Sequence, residues 1–293
     1  MHARPAIHSP MERTRRIGVL VLPSAAVMLV LFLLPLGIMG LFSFRQGTFS
    51  PEREIFTLEH YQDFFANTAF LRLLVRSVVL SIWVSIWCVV LAYPIAYYLV
   101  FQAGPAKLTL LTIIIIPAWV SYLLRVLSWK VILGSSGVLV SILDSIGLGD
   151  GVGRILLYSP SAVVITLVYV WIPFIALPIF AALGRIDRSL LEAAADLGCS
   201  RAEAFLRVTL PLSLPGVVAG FLFVFIPTVG EYVTPSLVGG PEGIMFGNLI
   251  LDQFLRALNW PSGSLMSLAM LVIVLAPLLI ISRFFRFSDL AGF

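Results

Sequence analysis

Apolar positions in this chain gather into long windows without a charged residue: Ile17–Phe44, Ser77–Ala106, Leu108–Leu124, Ile155–Gly184, Val208–Gly230 and Ala257–Ser282. Each is near or above the roughly 17–25 residues that a helix needs to cross about 30 Å of hydrocarbon. The pattern predicts one all-α membrane domain over 1–293, with six transmembrane helices at approximately 17–43, 73–100, 108–133, 160–184, 216–238 and 265–284. A polar segment, 185–215, separates the fourth span from the fifth. A membrane barrel is excluded, because its strands of about 10 residues alternate in polarity, and runs such as Leu110–Ile116 do not. The first window follows Arg13, Arg15 and Arg16, as a secretory signal would. It is longer than the about 7–15 apolar residues of a signal core, so it is read as a retained helix.

Composition agrees: 60% of the residues are hydrophobic and 12% charged, with mean hydropathy +1.04, against about 25% charged in an ordinary soluble domain. The formal charge of +4 comes mostly from scattered arginines. They form no stripe that could follow a phosphate backbone, which argues against nucleic-acid binding. Cys88 sits within a span and Cys199 in the polar segment, so neither a disulfide framework nor a metal-ligand spacing is present. No metal or cofactor is expected on this chain.

Arginines beside the first span place the amino terminus in the cytoplasm by the positive-inside rule. The carboxyl terminus and the 185–215 segment then lie inside too. Lys107, Arg185, Arg188, Arg201, Arg207, Arg283 and Arg286 are cytoplasmic in this topology, and the acidic stretch with Glu52, Glu54, Glu59 and Asp63 is external. Arg45, Arg53, Arg72, Arg76 and Arg154 run against the bias. The outer connections, Arg45–Leu71, Gly134–Ser159 and Gly239–Ser264, are either ordered caps or plain loops.

Within 185–215, Ser189-Leu190-Leu191-Glu192 and Ser200-Arg201-Ala202-Glu203 both have capping-box spacing, and Gly198 between them suits a helix-ending left-handed turn. Two short helices are predicted, the second stopped by Pro211 and Pro215 before the fifth span. The small residues on the first would let another protein approach its backbone closely. An amphipathic connector lying on the membrane is the competing reading, disfavoured by the short tract and the absence of a basic polar face.

Glu192-Ala193-Ala194, Gly198 and Val208-Thr209-Leu210-Pro211 resemble the E-A-A, G and I-x-L-P elements of permease subunits of bacterial ATP-binding-cassette importers. Val208 replaces the usual isoleucine. The resemblance implies a type I importer permease fold of MetI-like topology, whose coupling loop seats in a groove of a cytoplasmic ATPase dimer. Glu192 would then be the polar anchor, Ala193 and Ala194 the close-packing surface and Gly198 the turn, with Leu210 and Pro211 also among the ATPase-coupling residues. For Glu192 a purely capping role also stands. The only lysines, Lys107 and Lys130, lie in no phosphate-binding loop, so ATP and magnesium would belong to the partner.

Ionisable groups inside spans are functional candidates because lipid exposure at the bilayer centre costs at least about 2.5–3.5 kcal/mol on insertion scales. Glu231, among Pro227, Gly230 and Pro235, falls in the outer half of the fifth span, where a broken helix is tolerated only beside protein or water. It lines a pathway for a cationic solute, or it is a helix-end carboxylate reaching the interface. Tyr122, Trp129, Tyr169, Trp171 and Tyr232 are either cation-binding faces along that path or an interfacial belt. Arg125 and Lys130 are expected to pair with Glu231 or Asp252, or to reach outward.

Leu124-Arg125-Val126-Leu127-Ser128-Trp129, Tyr169-Val170-Trp171-Ile172-Pro173-Phe174, Phe225-Ile226-Pro227, Gly230-Glu231-Tyr232-Val233-Thr234-Pro235, Gly239-Gly240 and Gly247-Asn248-Leu249-Ile250 resemble the spermidine/putrescine branch of these permeases. That resemblance implies polyamine import with a periplasmic solute-binding protein and a second permease. Opines, 4-aminobutyrate and phosphonates are the alternative solutes of the branch. An ion-driven carrier would show matched broken halves, and a membrane enzyme would gather an acid, a base and a nucleophile. The sequence shows neither pattern.

Overall fold

The computed structural model describes residues 10–145, 147 and 156–284. His2, Arg4, His8, Arg154, Ile155 and Arg286 lie outside the described residues, as does much of the Gly134–Ser159 connection. Every long element among them is helical: α1 Pro10–Ser43, α2 Glu59–Ala66, α3 Thr68–Phe101, α4 Lys107–Ile115, α5 Tyr122–Ile132, α6 Val138–Ser145, α7 Pro160–Gly184 and α8 Arg188–Asp196. There follow α9 Arg201–Val229, α10 Phe246–Leu255 and α11 Trp260–Phe284. Among the described residues, five helices are long and apolar enough to cross a membrane, or six if one bent pair is a single span.

The bent pair falls on the expected third span, 108–133. Gly104–Trp119 and Tyr122–Ile132 meet at 91°. Pro117 removes a backbone donor, the last turn tightens to a 3-10 helix at Ile116–Trp119, and Val120 is extended. Two further boundaries move. α3 starts at Thr68, capped by the Asn67 side chain accepting from the Ala69 amide at 3.0 Å, and α11 starts at Trp260. Charged residues such as Arg72 and Arg76 thus extend α3 beyond the apolar window.

The core is a bundle of α3, α7 and α9, with Val84, Leu167, Ile175, Ile179 and Val224 fully buried. Lipid offers no hydrophobic force between helices, so close packing and interhelical hydrogen bonds must hold the bundle. Small residues on α3 supply the packing. Ser77, Ser81, Ser85, Cys88, Ala92 and Ala96 recur at three- or four-residue steps and are all buried. The serines satisfy their hydroxyls by donating to carbonyls one turn back, at 2.7–3.0 Å. On the facing helices, Gly216 and Gly220 let α9 lie against Pro178 and Ile175 of α7.

α1 stands apart, its apolar side chains from Leu22 onward exposed as lipid contact would require, and it meets the rest mainly along α11. At one end of the bundle, α2, α3, α10 and α11 share a second cluster of Phe64, Leu74, Phe246, Leu265 and Met266. The Thr48 hydroxyl donates to the Leu258 carbonyl at 2.6 Å and accepts from the Trp260 amide at 2.9 Å. The Arg45–Leu71 and Gly239–Ser264 connections are therefore ordered against each other.

Candidate functional site

At the opposite end, the 185–215 segment builds two helices from local chemistry. α8 is started by Asp187, whose carboxylate accepts the Ser189 amide at 3.0 Å. This corrects the expected box: Ser189 lies inside the helix and Glu192 does not close a cap. A carboxylate two residues earlier satisfies an orphan donor and also adds negative charge at the positive helix end. The Ser189 amide, and then its hydroxyl, hold the Asp187 carboxyl below its ordinary value.

α8 ends in a Schellman turn. The Cys199 amide donates to Ala194 at 3.0 Å and the Gly198 amide to Ala195 at 2.9 Å, with Gly198 at φ +83°. Ser200 and Glu203 then form the second box reciprocally, at 2.9 and 3.3 Å. Hydrogen bonds from the Ser200 amide and hydroxyl, with Arg207 nearby, hold the Glu203 carboxyl below its ordinary value.

The second helix does not stop at Pro211, contrary to expectation. It runs unbroken from Arg201 to Val229, because a π-helical turn at Phe205–Thr209 shifts the hydrogen-bond ladder just ahead of the proline. The helix that begins at the Gly198 turn is therefore the same rod that enters the core. Phe205 packs edge-on against Tyr93 and Tyr97 of α3, at 5.7 and 5.8 Å. The Tyr93 hydroxyl shares a 2.8 Å hydrogen bond with Ser213.

Glu192, Ala193 and Gly198 face solvent, while Leu210 packs against the core and Pro211 is exposed on the rod. Ala194 is only 8% exposed and turns toward the chain's own core, so it offers no surface to another protein. Helical geometry places it about 100° from Ala193. The outward apolar residues are instead Leu190 and Leu197, the latter 85% exposed. The sequence assigns no role to either leucine, to Asp187 or to Phe205. An Asp-x-Ser step and two leucines seven apart were the available signals.

The six predicted pathway residues separate into three places. Glu231, Tyr232 and Tyr122 lie where α9 breaks. Glu231 accepts the Val233 and Thr234 amides at 2.8 and 3.1 Å, capping the next helical turn. The Tyr122 hydroxyl bonds to Thr234 and lies within electrostatic reach of Glu231 and Arg125. Asn248, of the Gly-Asn motif, closes the break. Its amide donates to the Tyr232 carbonyl at 2.8 Å and to Ser236 at 2.7 Å, and its oxygen accepts the Met245 amide at 3.0 Å. A Cβ on Gly247 would come within 2.6 Å of the Gly230 carbonyl oxygen. The spaced Gly-Glu-Tyr and Gly-Asn motifs are thus two halves of one interlock.

Trp129 and Tyr169, with centroids 5.3 Å apart, line an apolar cavity of about 420 Å³ together with Trp87. Trp171 is elsewhere, packed on Phe174 and Phe223. The expected pairing of Arg125 and Lys130 with Glu231 or Asp252 is not formed. Asp252 pairs with Arg256 at 3.3 Å, Arg125 is buried and donates to the Val170 carbonyl at 3.2 Å, and Lys130 lies over the Tyr158 ring at 5.8 Å. A backbone carbonyl one helix away is nearer to Arg125 than either acid.

A family model described as binding-protein-dependent transport system inner membrane component matches residues 14–290. The chain belongs to this family. As a permease it is 34% identical over 257 residues, 88% of this chain and 89% of the relative, to the spermidine/putrescine transport system permease protein PotB of Salmonella typhimurium. A shorter match, 33% over 110 residues covering 38% of this chain and 42% of the relative, is to PotC of Haemophilus influenzae, a permease of the same named system. A bacterial alginate ABC transporter, solved with a pentasaccharide-bound periplasmic protein, shares the fold at TM-score 0.69 and 18% identity, over 97% of this chain and 99% of that one. The permease is thus a multi-pass inner-membrane component with the importer fold.

Proposed function

We propose that this permease is one of the two membrane subunits of an ATP-driven polyamine importer. Its amino and carboxyl termini and its 185–215 segment lie in the cytoplasm. The observation that carries this reading is the joint itself: exposed side chains at Leu190, Glu192, Ala193 and Leu197, a left-handed turn at Gly198, and one continuous rod from Arg201 into the core. Such a joint converts a push on α8 into movement of α9 through one tight, hydrogen-bonded turn.

A separate ATPase dimer grips this face, with Glu192 as its polar anchor, and closes on ATP. The motion reaches α3 through Phe205, Tyr93 and Ser213, and the bundle opens alternately to the two sides. A periplasmic binding protein delivers the solute over the ordered Arg45–Leu71 and Gly239–Ser264 connections. The second permease is a different, homologous chain, a pairing supported by the PotB and PotC likenesses. This chain performs no chemistry on the solute. Glu231, whose carboxylate sits at the break of α9, supplies the negative charge that a polyamine requires on its way through.

The polyamine assignment is supported by the named relatives and by that carboxylate. It is tested by reconstituting the complex with its binding protein and measuring ATP-dependent uptake of labelled spermidine. Saturable uptake competed by putrescine is expected. A binding protein that retains an opine or 4-aminobutyrate, with no spermidine uptake, would overturn the substrate assignment.

A further inference from the structure

Beside the start of α8, three cations converge where the spans α3 and α7 end. Lys107, Arg185 and Arg188 line a cavity of about 660 Å³ together with Asp187, Phe101 and Phe180. Its cationic side faces the polar segment, and its two phenylalanines belong to the last turns of the spans. Charge and apolar surface therefore meet at the level where headgroup and acyl chain meet in a bilayer.

Neither Lys107 nor Arg188 makes an ion pair with a carboxylate among the described residues. Asp187, the sole acid in the lining, already accepts the Ser189 amide and caps α8. A phosphodiester would answer the side-chain charge that remains.

We propose that this cavity seats the headgroup of an anionic phospholipid, its acyl chain leaving past Phe101 and Phe180. Basic pockets between membrane helices are the established chemistry for such headgroups. Because Arg188 opens α8, the bound phosphate ties the coupling helix to the membrane surface. The site is independent of which solute the permease carries.

The assembled complex, placed in phosphatidylcholine nanodiscs doped with phosphatidylglycerol and then released into detergent, is examined by native mass spectrometry. Phosphatidylglycerol is expected to remain bound in preference to phosphatidylcholine, unaffected by excess inorganic phosphate. A Lys107→Gln/Arg188→Gln double variant should hold it about thirty-fold more weakly, at one surface charge's worth of attraction per substitution. Lys107→Arg/Arg188→Lys should retain it. Equal retention of the two lipids, full retention by the double glutamine variant, or displacement by inorganic phosphate would each overturn the proposal. Should the double variant not assemble, Lys107→Gln alone decides, with about five-fold weakening expected.

Discussion

Replacement of Gly198 isolates what the turn between the coupling helices contributes. The residue sits at φ +83° and nothing lies within 4 Å of where its Cβ would be. An alanine there meets no steric clash, so its whole effect is the left-handed backbone, about 1–2 kcal/mol for an L-residue. That lowers the ratio of correctly turned to otherwise arranged joints by roughly 5–30-fold. Asparagine tolerates this conformation better and should recover part of the loss. Tryptophan carries the same backbone penalty, and its Cβ likewise meets nothing within 4 Å. A further defect beyond alanine, in a variant whose Tm in detergent without the ATPase equals that of the alanine variant, reports a partner surface against the turn. The assay is solute taken up per ATP hydrolysed in the reconstituted complex, with assembly checked by co-purification of the ATPase. The expected order is glycine, asparagine, alanine, tryptophan. Equal uptake per ATP across all four would refute a coupling role for this turn.

Three further outcomes follow from the geometry. Gly247→Ala forces a Cβ against the Gly230 and Glu231 carbonyl oxygens, at 2.6 and 2.8 Å; it should destabilise the permease by about 1–3 kcal/mol, seen as a lowered Tm in detergent, while Gly40→Ala, which meets nothing within 4 Å, should not. Glu231→Gln keeps an oxygen to cap Val233 and Thr234 but removes the charge, so the complex should assemble normally and spermidine uptake should fall roughly tenfold or more, the equivalent of about 1.4 kcal/mol of lost attraction; undiminished uptake removes Glu231 from the path. Asp187 and Glu203 are both held below their ordinary values by hydrogen bonds at helix starts, so their contribution is complete above those values and is lost as pH falls through the lower folded ones. Hydrogen-exchange protection of 188–204 should accordingly stay flat down to about pH 5 and decline only below about pH 4.

The sequence exposed the spans because lipid demands uninterrupted apolar length, and it exposed the 185–215 joint because charge and capping residues interrupt that length. What it obscured depends on backbone continuity. Pro211 reads as a stop, yet a π turn carries the helix past it. Leu108–Leu124 reads as one span, yet Pro117 and an extended Val120 break it at 91°. Hydropathy averages over both events. The cap of α8 was misplaced by two residues because Asp187 and Ser189 are both good caps, and only the direction of the backbone decides between them. Ala193 and Ala194 are identical in sequence terms, and the register of α8 alone turns one outward and the other in. The aromatic candidates shared a composition but not a place, since Trp171 joins Phe174 and Phe223 rather than the Trp129–Tyr169 cavity.

The most direct measurement of the central claim is thiol labelling of Leu197→Cys in a Cys199→Ser background. The position is 85% exposed at the end of α8, and the remaining cysteine, Cys88, is buried. Labelling by a membrane-impermeant reagent should occur in inside-out vesicles, be absent in intact cells, and be blocked once the ATPase is added back. Labelling from the outer surface of intact cells, or labelling indifferent to the ATPase, would contradict the account.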